Sequence, residues 1–138
     1  MKISSIQDLE KISNNIKKKL ILGDVVFLYG EIGVGKTTFA RMLINNYEKE
    51  KNLKESEVLS PTFNIVFEYD IKEFIIKHFD LYRLKDPEEI FELGWEDFGG
   101  NDIALIEWPS RLEHLKPGEV ISICIEIKGD VRHIHVAP

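Results

Sequence analysis

The chain has 138 residues, of which 43% are hydrophobic and 30% charged, and this composition is ordinary for a globular protein. Its length favours a single domain over residues 1–138, and folding at that size buries roughly two-thirds of the surface that the unfolded chain exposes. A net charge of −6 argues against a broad basic face for autonomous nucleic-acid binding.

The N-terminal residues, the lengths of the apolar runs and the cysteine content together predict the cellular compartment. Residues 1–5 read Met-Lys-Ile-Ser-Ser and lack the apolar core of a signal peptide. No apolar run approaches the roughly 20 residues that a membrane span needs. The single cysteine, Cys124, excludes an internal disulfide bond and fits a reducing compartment. We therefore expect a cytoplasmic protein.

The first predicted element is an amphipathic helix. Ser5 and Asp8 have the spacing of a capping box, and the three lysines at 17–19 complement the helix dipole on a solvated face. Apolar residues recur every three or four positions between these ends: Ile6, Leu9, Ile12, Ile16 and Leu20. This stripe predicts one buried face.

Residues 30–37 read Gly-Glu-Ile-Gly-Val-Gly-Lys-Thr, the G-x-x-x-x-G-K-T pattern of a phosphate-binding loop. An apolar strand at 25–29 precedes the loop and a predicted helix at 38–44 follows it, which is the context that the motif requires. In this setting Lys36 reaches the β- and γ-phosphates, and the Thr37 hydroxyl ligates Mg²⁺. The alternative interpretation is a glycine-rich turn that contains Lys and Thr by chance.

The remaining elements predict a mixed sheet. A charged stretch at 47–57 indicates an exposed loop, and strands at 64–69 and 74–79 are close enough to form an antiparallel hairpin. The sequence Asp86-Pro87-Glu88-Glu89 is typical of a helix start.

A buried strand follows at 103–106, and an alternating strand at 120–127 precedes a last strand at 131–136. In the alternating strand Cys124 is a structural residue rather than a nucleophile. We therefore expect an α/β fold resembling the P-loop NTPases: a mixed β-sheet flanked by helices, with parallel strands near the loop and an antiparallel C-terminal hairpin.

Two acids follow apolar strands, where parallel strands present their carboxyl ends to a ligand crevice. Glu107 ends the strand at 103–106 and is a candidate for the second Mg²⁺ ligand, a place that Asp often fills. Asp80 could orient or deprotonate the attacking water, or hold Mg²⁺ through water. Alternatively, Glu107 is an acidic residue at a strand end, which is common, and Asp80 is a turn residue that pairs locally with Arg83.

Other candidates carry weaker signals. The segment Ser60-Pro61-Thr62-Phe63 occupies the place of a GTPase switch in chain order, or is an ordinary Ser-Pro turn. Trp108 and Arg132 are candidates for base stacking or charge contacts. Alternatively, Trp108 is a packed aromatic residue and Arg132 is a surface strand residue. His78 is interpreted as a strand histidine with satisfied hydrogen bonds.

Taken together, these segments resemble one family, the bacterial tRNA threonylcarbamoyladenosine biosynthesis ATPases called TsaE, formerly YjeE. The resemblance spans essentially the whole chain. The phosphate-binding loop is shared by very many proteins, whereas three other segments are far more specific: Ser60-Pro61-Thr62-Phe63, His78-Phe79-Asp80-Leu81-Tyr82-Arg83 and Glu107-Trp108-Pro109.

This resemblance implies a small ATPase that assists formation of threonylcarbamoyladenosine at position 37 of tRNA. The family works with a TsaB–TsaD pair, in which TsaD carries the transferase chemistry, and the tRNA is met through that complex. ATP binding and hydrolysis would reset the complex between turnovers. Activity alone is expected to be slow and stimulated by partners.

The resemblance also implies roles for individual residues. Thr37 and Glu107 match the Mg²⁺ positions, Asp80 matches the essential acid, and Arg132 ends a Gly-x-x-Arg stretch that approaches the nucleotide. The residues expected to carry catalysis are Lys36, Asp80 and Glu107. Those expected to hold ATP are Glu31, Ile32, Gly33, Val34, Gly35, Lys36, Thr37, Thr38, Thr62, Trp108 and Arg132.

Two rival functions stay open at this point. A small-molecule P-loop kinase would need a substrate region and an arginine-rich lid, for which 138 residues leave little room. A nucleotide-gated interaction module would bind ATP without useful turnover.

Overall fold

The computed structural model describes residues 2–3, 5–31, 35–58, 66–93, 102–115, 120–129 and 131–137. These residues form one seven-stranded mixed sheet with two α-helices and two 3₁₀ segments. Several predicted features lie outside the described residues: the loop positions Ile32, Gly33 and Val34, the segment 60–63 with Thr62, and the first part of the strand predicted at 64–69.

The elements follow one another along the chain in this order: β1 Lys2–Ile3, α1 Ile6–Lys19, β2 Val25–Tyr29, α2 Lys36–Glu50, β3 Val66–Asp70, β4 Ile75–Asp80, the 3₁₀ segment Pro87–Leu93, β5 Ile103–Glu107, the 3₁₀ segment Pro109–Leu115, β6 Ile121–Lys128 and β7 Val131–Ala137. The strand order across the sheet is β1-β7-β6-β2-β5-β4-β3.

The predicted fold class is confirmed. Strands β6, β2, β5 and β4 run parallel at the centre of the sheet. The predicted hairpins are both present, since β3 pairs antiparallel with β4 and β6 pairs antiparallel with β7. The phosphate-binding loop therefore follows a central strand that has parallel neighbours on both sides, and the carboxyl ends of those strands meet at the loop.

Helices α1 and α2 cover one face of the sheet. Four residues of the predicted apolar stripe of α1 are buried there: Leu9, Ile12, Ile16 and Leu20. The side-chain oxygen of the N-cap residue Ser5 accepts a hydrogen bond from the backbone N–H of Asp8 at 3.2 Å. From α2, Phe39, Leu43 and Ile44 pack fully buried in the same core. Burying each such side chain contributes roughly 1.5–3 kcal/mol, so this layer fixes α2 against the sheet.

The opposite face carries a second apolar core, in which Phe27, Phe79 and Ile106 pack under residues of the 3₁₀ segments such as Ile90 and Leu112. The helix predicted after Asp86 is a 3₁₀ segment. Its start is capped as the sequence indicates, because Asp86 Oδ1 accepts from Glu88 N at 3.1 Å and Glu89 Oε1 accepts from Asp86 N at 3.1 Å.

The prediction of an exposed loop over 47–57 is wrong in its first part. Helix α2 continues to Glu50, and Tyr47 and Glu48 are buried. Glu48 is tolerated there because its carboxylate accepts hydrogen bonds from the side-chain amide of Asn45 and from the backbone N–H and hydroxyl of Ser56. Charge density alone therefore misplaced the end of the helix.

The lysine-rich end of α1 is not only a solvated face. Lys17 is mostly buried, forms an ion pair with Glu50 of α2 and lies 5.6 Å from the centroid of the Tyr47 ring. The pair ties the ends of the two helices together. Within the described ranges, no helix is long and apolar enough to cross a membrane.

Candidate functional site

The site begins where β2 ends and α2 starts. Gly35 is the N-cap of α2 with φ +111° and ψ +21°, a conformation that residues with a Cβ rarely adopt. The backbone can therefore turn directly from the loop into the helix. The first turn of α2 points its N–H groups and the positive end of its dipole at the space above the carboxyl ends of the strands.

The Lys36 side chain folds back towards Gly30, the residue that follows β2. Its Nζ donates a hydrogen bond to the Gly30 carbonyl oxygen at 2.6 Å and lies 3.7 Å from the centroid of the Trp108 ring. Only 5% of the residue is exposed, and this burial lowers the pKa of the Lys36 ammonium, while the Glu107 and Asp80 carboxylates act to raise it. The structure thus brings a buried cation and two acids together.

Thr37 meets Glu107 across the site. The Thr37 hydroxyl donates to Glu107 Oε2 at 3.1 Å and lies 3.4 Å from Oε1. The contact follows from strand pairing, because β5 lies beside β2 with Glu107 in register with Leu28. A residue near the end of the strand is thereby placed under the start of α2.

Asp80 lies beside Glu107 at the end of the neighbouring strand. The two residues are register partners in the parallel β4–β5 pair, and both are nearly fully buried. Asp80 Oδ1 accepts a hydrogen bond from the backbone N–H of Tyr82 at 3.0 Å. This contact fixes the carboxylate at the turn that follows β4.

His78 is the residue whose place the sequence did not reveal. Its Nε2 lies 2.6 Å from Glu107 Oε2 and its side chain is completely buried. Its Nδ1 has no hydrogen-bond partner among the described residues, so the interpretation as a fully satisfied histidine is wrong. The sequence does show that His78 lies two residues before Asp80, which puts both side chains on one face of β4. It does not show that β4 pairs with β5, and this pairing brings His78 to Glu107.

Trp108 covers the site. It has φ +60°, which is uncommon for a bulky residue, and its ring packs against the Tyr82 ring with centroids 4.9 Å apart. The Arg111 guanidinium lies 5.8 Å from the centroid of that Tyr82 ring. Among the described residues, Trp108 contacts the Lys36 ammonium, while its contact with a base stays a prediction.

Arg132 approaches the loop from β7. Its Nε would lie 3.6 Å from a Cβ added to Gly35, so its side chain borders the start of α2. Of the other residues predicted to hold the nucleotide, Glu31 is exposed beside the loop and Thr38 is half-buried in the first turn of α2.

The side chains present fit a phosphate and a magnesium ion. Hydroxyl and carboxylate oxygens are the ligands that Mg²⁺ prefers, and Thr37 and Glu107 supply one of each within hydrogen-bond distance. The Lys36 ammonium and the start of α2 supply positive charge for an anion. A site for a nucleoside triphosphate and its magnesium ion needs the same groups: a hydroxyl and a carboxylate for the metal, and positive charge for the phosphates.

Comparison with known proteins gives one answer. The sequence profile of "Threonylcarbamoyl adenosine biosynthesis protein TsaE" matches residues 3–134. The tRNA threonylcarbamoyladenosine biosynthesis protein TsaE of Rickettsia felis is 36% identical over 132 residues, which cover 96% of this chain and 75% of the relative. That of Haemophilus influenzae is 39% identical over 113 residues, covering 81% of this chain and 68% of the relative.

The fold agrees with this match. The crystal structure of Bacillus subtilis YdiB superposes with a TM-score of 0.71 at 26% sequence identity, over 97% of this chain and 80% of that one. With a profile that spans nearly the whole sequence and relatives above one-third identity, the chain belongs to the TsaE family of tRNA threonylcarbamoyladenosine biosynthesis proteins.

Proposed function

We propose that this chain is the ATPase subunit of the bacterial machinery that makes threonylcarbamoyladenosine in tRNA. It binds ATP and Mg²⁺ at the loop between β2 and α2, hydrolyses ATP slowly alone, and acts with TsaD-like and TsaB-like proteins. The observation that carries the proposal is the 3.1 Å contact between the Thr37 hydroxyl and the Glu107 carboxylate, beside the buried ammonium of Lys36.

Each residue has a proposed task. Lys36, which donates to the Gly30 carbonyl oxygen in the ligand-free protein, would donate to phosphate oxygens. Thr37 and Glu107 would hold Mg²⁺, which would neutralise charge on the phosphates. Asp80, fixed by the Tyr82 N–H, orients or deprotonates the attacking water. Trp108, which lies against the Lys36 ammonium, and Arg132, which lies beside Gly35, would contact the nucleotide.

The test is equilibrium ATP binding and phosphate release, measured with and without a TsaB–TsaD pair. Lys36→Ala should lose ATP binding, because it removes a buried ammonium that interacts with the Glu107 and Asp80 carboxylates. Lys49→Ala serves as the matched control, since Lys49 lies exposed in the last turn of the same helix. Equal ATP binding by Lys36→Ala and wild type would reject the role of the loop.

The rival functions give different results in the same assay. A nucleotide-gated module would bind ATP but release no phosphate even with partners present. A small-molecule kinase would transfer the phosphate to an added acceptor instead of water. Of the three functions, only the ATPase predicts that the TsaB–TsaD pair stimulates the release of inorganic phosphate.

A further inference from the structure

We propose that His78 is a positioning residue of this site: its Nε2–H holds the Glu107 carboxylate against the Thr37 hydroxyl and so sets how strongly Mg²⁺ supports nucleotide binding. The inference rests on the proposed function, because it concerns the residues assigned there to Mg²⁺. It assigns a task to a buried polar side chain that the ATPase proposal does not use.

The first support is the geometry of the carboxylate. Glu107 Oε2 lies 2.6 Å from His78 Nε2 and 3.1 Å from Thr37 Oγ1, so one oxygen meets donors from two different elements. Charge-assisted hydrogen bonds of this kind are shorter and about twice as strong as neutral ones. The carboxylate is therefore restrained from β4 on one side and α2 on the other.

The second support is the unpaired nitrogen. Among the described residues His78 Nδ1 has no hydrogen-bond partner, and the side chain is fully buried. A proton on Nδ1 would leave a buried N–H without an acceptor and would set the Nε2 lone pair against a carboxylate. A proton on Nε2 avoids both costs. The geometry thus assigns a proton to Nε2.

The third support is the rigidity of the element that carries His78. It lies inside β4, in register with Leu105 of β5, and its neighbours Phe79 and Ile76 are fully buried. Glu107, by contrast, is the last residue of β5. A histidine inside a strand therefore fixes a carboxylate that lies at a strand end. Outer-shell partners of metal ligands typically change metal affinity by 10–100-fold when removed.

The experiment compares His78→Gln with His78→Met. Gln can place its amide N–H near the position of Nε2, whereas Met fills a similar volume without a donor. ADP affinity is measured by calorimetry in EDTA and over a Mg²⁺ titration, with thermal unfolding as the measure of folding. We expect His78→Met to need at least tenfold more Mg²⁺ for half-maximal enhancement of ADP affinity, with the EDTA affinity within threefold of wild type, and His78→Gln to restore the Mg²⁺ dependence.

A purely structural histidine would behave differently. Both variants would then lower thermal stability and change the affinity in EDTA and in Mg²⁺ by the same factor, and this result would overturn the inference. If wild type itself gained no affinity from Mg²⁺, the proposed function would fail together with it. If wild type responded to Mg²⁺ and a folded His78→Met responded equally, only the inference would fail.

A second measurement needs no variant and no nucleotide. Long-range proton–nitrogen correlation spectra of the ligand-free protein distinguish the two tautomers of each imidazole ring. We expect the proton of the buried ring on Nε2, in a hydrogen bond protected from solvent exchange. A proton on Nδ1 of His78 would contradict the inference even if the variants failed to fold.

Discussion

Replacing Thr37 by valine removes one hydroxyl at the centre of the site and keeps the shape of the side chain. In the ligand-free protein the change takes one donor from Glu107, which is 97% inaccessible to solvent and retains only His78 as a side-chain donor in the described part of the site. A hydrogen bond to a charged group contributes about 1.5–3 kcal/mol. Because the Thr37 contact is long and half-buried, the lower end applies.

We therefore expect Thr37→Val to lose about 1.5 kcal/mol of unfolding free energy, which lowers the melting temperature of a domain of this size by about 5 °C. The nucleotide effect should be larger and selective. ADP affinity in Mg²⁺ should fall at least tenfold, about 1.4 kcal/mol, while ADP affinity in EDTA stays within about threefold. Urea unfolding and calorimetry measure the two quantities.

Thr37→Ser is the matched control, because it keeps the hydroxyl and loses one methyl group. It should retain the Mg²⁺ dependence and lose less than about 0.8 kcal/mol of stability. The reasoning would be refuted if Thr37→Val were as stable as wild type and still gained affinity from Mg²⁺. Equal losses in Thr37→Val and Thr37→Ser would show that the methyl group and not the hydroxyl matters.

Three further changes test other parts of the structure. Asp80→Asn, which keeps an acceptor for the Tyr82 N–H, should leave ATP affinity within about threefold but lower phosphate release at least tenfold; unchanged turnover would remove the carboxylate from the chemistry. Gly35→Ala should cost about 1–3 kcal/mol of stability by urea unfolding, because φ +111° strains any residue with a Cβ, whereas Gly129→Ala, at φ +65° in open space, should cost less; the reverse order would contradict this reasoning. The hydrogen bond and charge of Lys17 lower the pKa of Glu50 from its ordinary 4.5. The Lys17–Glu50 ion pair should therefore stabilise the fold above pH 4.5, and this contribution should disappear as the pH falls through the lowered pKa. Because Glu50 is half exposed, a double-mutant cycle with Lys17→Met and Glu50→Gln should give only about 0.5 kcal/mol at pH 7; a coupling that did not weaken as the pH was lowered below 4.5 until Glu50 was protonated would be inconsistent with an ion pair.

Much of the fold could be predicted because its signals are local. The capped helix start at Ser5, the apolar strands and the short turns are each encoded within a few residues. The loop motif between a strand and a helix predicts a crevice at the carboxyl ends of the strands. An acid ending an apolar strand was therefore expected near that crevice, and Glu107 lies 3.1 Å from Thr37.

The rest depends on pairing between distant segments. His78 reaches Glu107 because β4 lies beside β5, a neighbour relation between strands 23 residues apart that no local pattern encodes. The end of α2 was misplaced for a related reason. Glu48 is compatible with burial because its carboxylate accepts hydrogen bonds from Asn45 one turn earlier and, across the following turn, from two donors of Ser56. Residue type alone predicts exposure for such a carboxylate, since unpaired charges are almost never buried.

The contact between Trp108 and Lys36 also could not be predicted from the sequence. Trp108 was expected to stack on a base, to make a charge contact or to pack, with no partner identified, and its positive φ turns the ring over the Lys36 ammonium. A left-handed backbone at a tryptophan is not predictable from residue type, because tryptophan disfavours that conformation. Its strain is the kind that surrounding packing must stabilise, here with the ring of Tyr82.

Thr37 and Glu107 are proposed to form one metal site at the phosphate-binding loop. The decisive experiment is a crystal structure of the protein with ADP and Mn²⁺, in which anomalous scattering locates the metal. We predict a single metal within about 2.3 Å of both Thr37 Oγ1 and a Glu107 oxygen, in contact with a phosphate oxygen of the nucleotide. A nucleotide bound elsewhere, or a metal that contacts neither side chain, would contradict the claim.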